Sequence, residues 1–213
     1  MTIEQIRKNI LHIKFPNQYE LTSTFIRLQE FYESPFPAIR GKFFTLEQYM
    51  DLYAKENGNF TYFSDWSGFN VPGNSVQLFA QKFCQQVLSR KERKMLDLIF
   101  NNLDVWNNEG NYYIIATYDN CDVDHELAHG YYYLIPAYKR EMNKLYKKFE
   151  KSVEFNNSLL KQGYGKKFLK DETQAYLATE SIDELYNQFS VKLKKSDVVP
   201  FRRLFRLYDV TGG

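Results

Sequence analysis

The chain has 213 residues, 44% hydrophobic and 25% charged, with a formal net charge of +2. That is an ordinary globular composition, long enough to bury a substantial core, and its charge is too small for the electrostatic footprint of a nucleic-acid binder. No apolar run approaches the roughly 18 residues of a membrane span, and two cysteines, Cys84 and Cys121, make no disulfide framework. The start, Met1-Thr2-Ile3-Glu4-Gln5, lacks the basic-then-apolar pattern of a secretory leader, so a cytoplasmic protein with reduced thiols is expected. The unusual feature is the aromatic share of 17%, carried by 18 Phe and 17 Tyr, side chains that fill a core or line a cleft.

In chain order, residues 17–33 place Leu21, Phe25, Leu28, Phe31 and Tyr32 at helical period, and Ser34-Pro35-Phe36-Pro37 stops that helix. Ile39 to Phe44 reads as a short strand. Thr45-Leu46-Glu47-Gln48 is a capping box opening a helix to about Lys55. Phe60 to Phe63 reads as another strand, and Ser64 to Gly73 as an ordered loop anchored by aromatics. Helices follow at about 75–88 and 90–103, the second introduced by the capping box Ser89-Arg90-Lys91-Glu92. The basic runs at Arg90 to Lys94, Lys144 to Lys151 and Arg202-Arg203 alternate with apolar residues and read as solvated helix faces.

Residues 111–118, with Tyr112, Tyr113, Ile114 and Ile115, form the clearest strand. Its edge offers a place for an extended peptide to pair. Asp119-Asn120-Cys121-Asp122 is suited to starting a helix over about 123–134, with Asp122 as cap. Pro136 opens the next helix, to about Glu150. Gly163-Tyr164-Gly165 is a loop, Asp171 can cap a helix over about 172–179, Ser181 caps another, and a last one covers roughly 198–208. Thr211-Gly212-Gly213 reads as a frayed end. The expected fold is α+β and helix-dominated: a single domain, 1–213, with a small sheet of two to four strands packed over the helix at 123–134. Residues 1–110 form an N-terminal part with the aromatic-rich loop, and 111–213 carry the site.

The chemistry concentrates in His125-Glu126-Leu127-Ala128-His129, which holds two of the chain's three histidines. Residues four apart on a helix lie on one face, about 6 Å apart along the axis, so both imidazoles can reach one Zn²⁺. Glu126 lies too far round the helix to join that chelate. It is placed instead to take a proton from a water held at the metal, the catalytic role of this pattern. By spacing alone Glu150 and Glu154 are candidate further ligands, although lysines surround both. Cys121, four residues before His125, reads as a packed residue at the strand-to-helix junction that can also approach the metal. His12 is isolated.

This segment resembles the zincins, a broad superfamily of metallopeptidases. The resemblance covers the strand at 111–118, the motif and one later helix, under half the chain. The metzincin branch is excluded, because Tyr132 and Ile135 stand where it requires Gly and His. The gluzincin branch takes a third ligand from a Glu-x-x-Ala helix, matched here by Glu172 and Ala175. The resemblance therefore implies zinc held by His125, His129 and Glu172, with Glu126 as the catalytic base. Tyr176 departs from the pattern, which has a carboxylate or amide there to orient a histidine. Asp171 and Glu180 are the residues available for that role. Tyr176 is then a possible oxyanion or substrate contact, as are Tyr131, Tyr132, Tyr133 and Tyr138. The function so implied is that of a zinc metallohydrolase, first a peptidase acting on a peptide or protein substrate, with no nucleic-acid or membrane partner. The alternatives are hydrolysis of a non-peptide amide or ester, and a degenerate zincin fold that serves as a protein-binding module. An intact Glu126 favours an enzyme.

Overall fold

In the computed structural model, residues 1–102, 110–118 and 122–211 are described, without the side chains of 84–86 and 211. Cys121, with Asp119 and Asn120 before it, and the Gly212-Gly213 end lie outside the described residues. The fold is α+β and helix-dominated, with eleven helices and one four-stranded sheet among the described residues. None of these helices is long and apolar enough to cross a membrane. The chain forms two compact units, residues 1–123 and 124–213.

The first unit opens on a hairpin of β1 (Thr2–Arg7) and β2 (Ile10–Phe15). Asn9 takes φ 61° in its turn, a left-handed conformation that asparagine tolerates. Helix α1 (Gln18–Glu33), capped by the Asn17 side chain on the Glu20 amide, buries Leu21, Phe25 and Leu28 in the core. Phe25 stacks on Phe69 at 5.5 Å and meets Phe15 edge-on. Then come α2 (Leu46–Asn57), with the expected capping box, α3 (Tyr62–Asp65), β3 (Gly68–Pro72), α4 (Gly73–Val87), α5 (Arg90–Asn102) and β4 (Tyr113–Tyr118). The sheet order is β1-β2-β4-β3, with β2 and β4 parallel and the outer pairs antiparallel.

Several expectations are corrected here. Residues 39–44 make turns, because the Ile39 and Arg40 amides both bond the Phe36 carbonyl and Gly41 takes φ 70°. The expected strand at 60–63 gives way to α3, whose Asp65 carboxylate accepts from the Thr61 hydroxyl. The strand lies instead within the expected loop, where Phe69 and Val71 are buried and Gly68 to Pro72 pair with β4. This leaves β4 flanked on both sides, by β2 and β3, so it has no free edge for a peptide. His12 is buried in β2 and its Nε2 lies 2.9 Å from the Thr117 hydroxyl, a core histidine with a partner.

The second unit carries α6 (Val123–Leu134, from its second residue on), α7 (Pro136–Lys148), α8 (Ser152–Lys161), α9 (Leu169–Thr179), α10 (Ile182–Phe189) and α11 (Lys195–Thr211). Pro136 is the first residue of α7, and Ser181 caps α10 in a full capping box. Helix α8 has no counterpart among the sequence-predicted elements. Asp122 takes φ 59°, outside the extended conformation usual for an N-cap. Helix α9 packs on α7, α8 and α11, which buries Thr173, Gln174, Ala175 and Leu177.

Candidate metal centre

Helix α6 follows the expected bounds, so His125 and His129 stand one turn apart on one face. Their Nε2 atoms face each other at 3.3 Å. Glu172, in the first turn of α9, brings Oε2 to 3.7 Å from His129 Nε2. One ligand atom from each of the three residues lies within 4.8 Å of the other two. Among the described residues this is the group of three histidine, cysteine or acidic side chains so arranged. Ligands about 2.0–2.2 Å from a tetrahedral zinc are roughly 3.3–3.6 Å apart. The 3.3 Å and 3.7 Å separations about His129 Nε2 lie close to that, so the donor set could hold a metal ion of this kind.

The other ring nitrogens point at carboxylates. His129 Nδ1 lies 2.9 Å from Asp171 Oδ1, and His125 Nδ1 lies 3.6 Å from Glu180 Oε1. At 2.9 Å the Asp171 carboxylate keeps a proton on His129 Nδ1 and leaves the Nε2 lone pair for a metal, whereas Glu180 stands beyond hydrogen-bond distance of His125. Asp171 does this from inside the first turn of α9, where Phe168 takes the N-cap position, so the expected capping role is replaced by the contact with His129.

The electrostatics favour a cation. Burial disfavours the charged His129 ring, but the Asp171 and Glu172 carboxylates outweigh it and push its pKa up to about 10. Burial pushes Glu172 up to about 7, while His129 and His125 pull it back. The negative charge of Glu126 acts on His129, Glu172 and Tyr176 alike, which places it at the same centre, and it is 6% exposed. A buried group of acids that raises the proton affinity of a histidine offers the same stabilisation to a metal ion, which would displace that proton.

Of the remaining sequence candidates, Tyr176 meets the cluster directly and the others have partners of their own or lie exposed. The Tyr176 ring packs on His125 at 4.5 Å between centroids. Its hydroxyl accepts from Gln188 Nε2 at 3.1 Å and lies 2.9 Å from the Tyr164 hydroxyl, while burial raises its pKa. The hydroxyls of Tyr131, Tyr132 and Tyr138 donate to Asp209, Asn143 and Gln174. Tyr133 is exposed at 38%. Glu150 and Glu154 are both exposed, and Glu154 pairs with Lys151 at 3.0 Å. Ala175 is fully buried.

Sequence reasoning missed Tyr164, Gln174 and Gln188. No motif marks them: Tyr164 and Gln188 meet Tyr176 from 12 residues away on either side, and Gln174 is recognisable only once Asp171, the Ala128 carbonyl and Tyr138 are brought around its amide. Compared with known proteins, the chain matches no family model, no curated protein and no solved structure.

Proposed function

We propose that this chain is a zinc-dependent hydrolase, with peptides or proteins as its first substrate class. The observation that carries this reading is the convergence of His125 Nε2, His129 Nε2 and the Glu172 carboxylate, with the Glu126 carboxylate buried at the same centre. His125, His129 and Glu172 would hold the ion. Zinc bound there would act as a Lewis acid that makes water a nucleophile near neutral pH.

The chain's own residues would do the rest. Glu126 accepts a proton from the attacking water and returns it to the leaving amine, a role that needs a carboxylate outside the ligand set. Asp171 holds His129 by Nδ1, and Glu180 stands nearest the same atom of His125. The Tyr176 hydroxyl accepts one hydrogen bond and can give its own proton to Tyr164 or to a substrate oxygen. A purely structural zinc site has no use for a buried acid at the position of Glu126, which favours catalysis over a binding module.

The test combines elemental analysis with an activity screen on peptide libraries. Purified protein should carry about one zinc per chain, lost in His125→Ala and His129→Ala, because two ligands bind weakly. Glu126→Gln should keep the zinc and lose turnover. Unchanged zinc in both histidine variants would sink the reading. A Glu126→Gln protein at wild-type rate would remove Glu126 as the base.

A further inference from the structure

Gln174 is fully buried in α9, and its side-chain amide is used on three partners. Its Nε2 donates to Asp171 Oδ1 at 3.1 Å and to the Ala128 carbonyl at 3.2 Å. Its Oε1 accepts from the Tyr138 hydroxyl at 2.9 Å, and Tyr138 is also fully buried. The orientation of the amide is determined by chemistry. An ionised carboxylate and a backbone carbonyl only accept, so the NH₂ group must face them, and Tyr138 must then donate to the oxygen.

The Asp171 oxygen that takes this bond is the one 2.9 Å from His129 Nδ1. The Asp171 side chain is 23% exposed, so on its own it can rotate toward water. The Gln174 amide removes that freedom and also ties α9 to the backbone of α6 one residue before His129. Ordering Asp171 in advance spares the entropy of fixing it when a metal binds.

We propose that Gln174 is a positioning residue of the metal centre: held by Tyr138, it locks the Asp171 carboxylate onto His129 Nδ1 and so aims His129 Nε2 at the metal. This rests on the zinc site proposed above. The network spans three helices, α6, α7 and α9, so the register between them is transmitted to one imidazole.

The test measures zinc affinity by competition with a chromophoric chelator, and records the His129 Nδ1–H proton resonance of the zinc-loaded protein. Gln174→Leu should bind zinc about tenfold more weakly, at the lower end of what partners of metal ligands contribute. Its Nδ1–H resonance should move upfield and exchange faster with water. Because Gln174 acts through Asp171, Gln174→Leu should change nothing further in an Asp171→Ala background, where a general structural role would give multiplying losses. Should Gln174→Leu fail to fold, Tyr138→Phe removes only the hydroxyl that holds Gln174, and should shift affinity and resonance in the same direction. Wild-type protein that takes up no zinc overturns the site and this inference together. Zinc-loaded wild type with affinity unchanged within about twofold and the resonance unmoved in the variant that folds overturns this inference alone, as do multiplying losses in the double variant.

Discussion

Asp171 and Glu172 are neighbours in the chain and address opposite edges of one imidazole: Asp171 stands 2.9 Å from His129 Nδ1, and Glu172 stands 3.7 Å from its Nε2. Successive residues on a helix point about 100° apart, so a ring inserted between them can meet both. In the proposed zinc site one carboxylate would orient the ring and the other would hold the ion.

That division separates two variants. In the proposed site Glu172→Ala would remove a ligand and should abolish tight zinc binding, whereas Asp171→Ala would leave all three ligands and should weaken it by about 10–100-fold. Glu150→Ala and Glu154→Ala alter exposed residues and should leave zinc affinity unchanged, with stability within about 0.5 kcal/mol of wild type. Chelator competition on the four proteins decides. Equal losses for Glu150→Ala and Glu172→Ala would move the third ligand elsewhere.

Tyr176→Phe keeps the ring packed on His125 and deletes the hydroxyl. In the proposed hydrolase this variant should retain zinc and lose about a hundredfold or more in kcat, the usual loss when an oxyanion donor is removed. If kcat stays at the wild-type value, Tyr176 is a packing residue whose hydroxyl serves Tyr164 and Gln188 only.

Away from the metal, Glu30 on α1 sits 6% exposed in the aromatic core of the first unit. Burial pushes its pKa up to about 7, against the pull of the Ser34, Tyr49 and Tyr62 hydroxyls around it. The folded protein therefore holds a proton that the unfolded chain, with the ordinary value near 4.5, has released. Stability from this group is present at low pH and is lost as pH rises from about 4.5 through 7, by about 3 kcal/mol in all. Glu30→Gln should flatten that part of the profile. Urea unfolding at pH 5 and pH 8 measures it, and parallel profiles for the two proteins would refute the assignment.

Arg27 and Glu92 form a buried pair between α1 and α5, with Arg27 Nε donating to Glu92 Oε1 at 2.7 Å and Arg27 Nη2 to the Val87 carbonyl at 2.9 Å. The Glu92 carboxylate also accepts from the Ser89 amide as part of the cap of α5. Arg27→Ala leaves Glu92 charged and buried without its partner and should cost about 3–5 kcal/mol in chemical denaturation. A loss below about 1 kcal/mol would mean that water replaces the guanidinium.

Local signals carried what local chemistry decides. The capping boxes at Thr45 and Ser181 form as spelled, because donor and acceptor lie three residues apart in the chain. The motif helix has the expected bounds, since helical period alone puts His125 and His129 on one face. Serine, glutamate and spacing likewise marked the cap at Ser89, but nothing near Glu92 announces Arg27, 65 residues away. Tertiary structure alone decided that residues 68–72 join a sheet, that β4 lies between two neighbours, and that Asp171 turns from capping to holding a histidine. Strand pairing is a contact between distant segments, and one carboxylate can serve a backbone amide or an imidazole with little local difference in energy. Which partner it takes depends on what packing brings within 3 Å, a distance no spacing along the chain encodes.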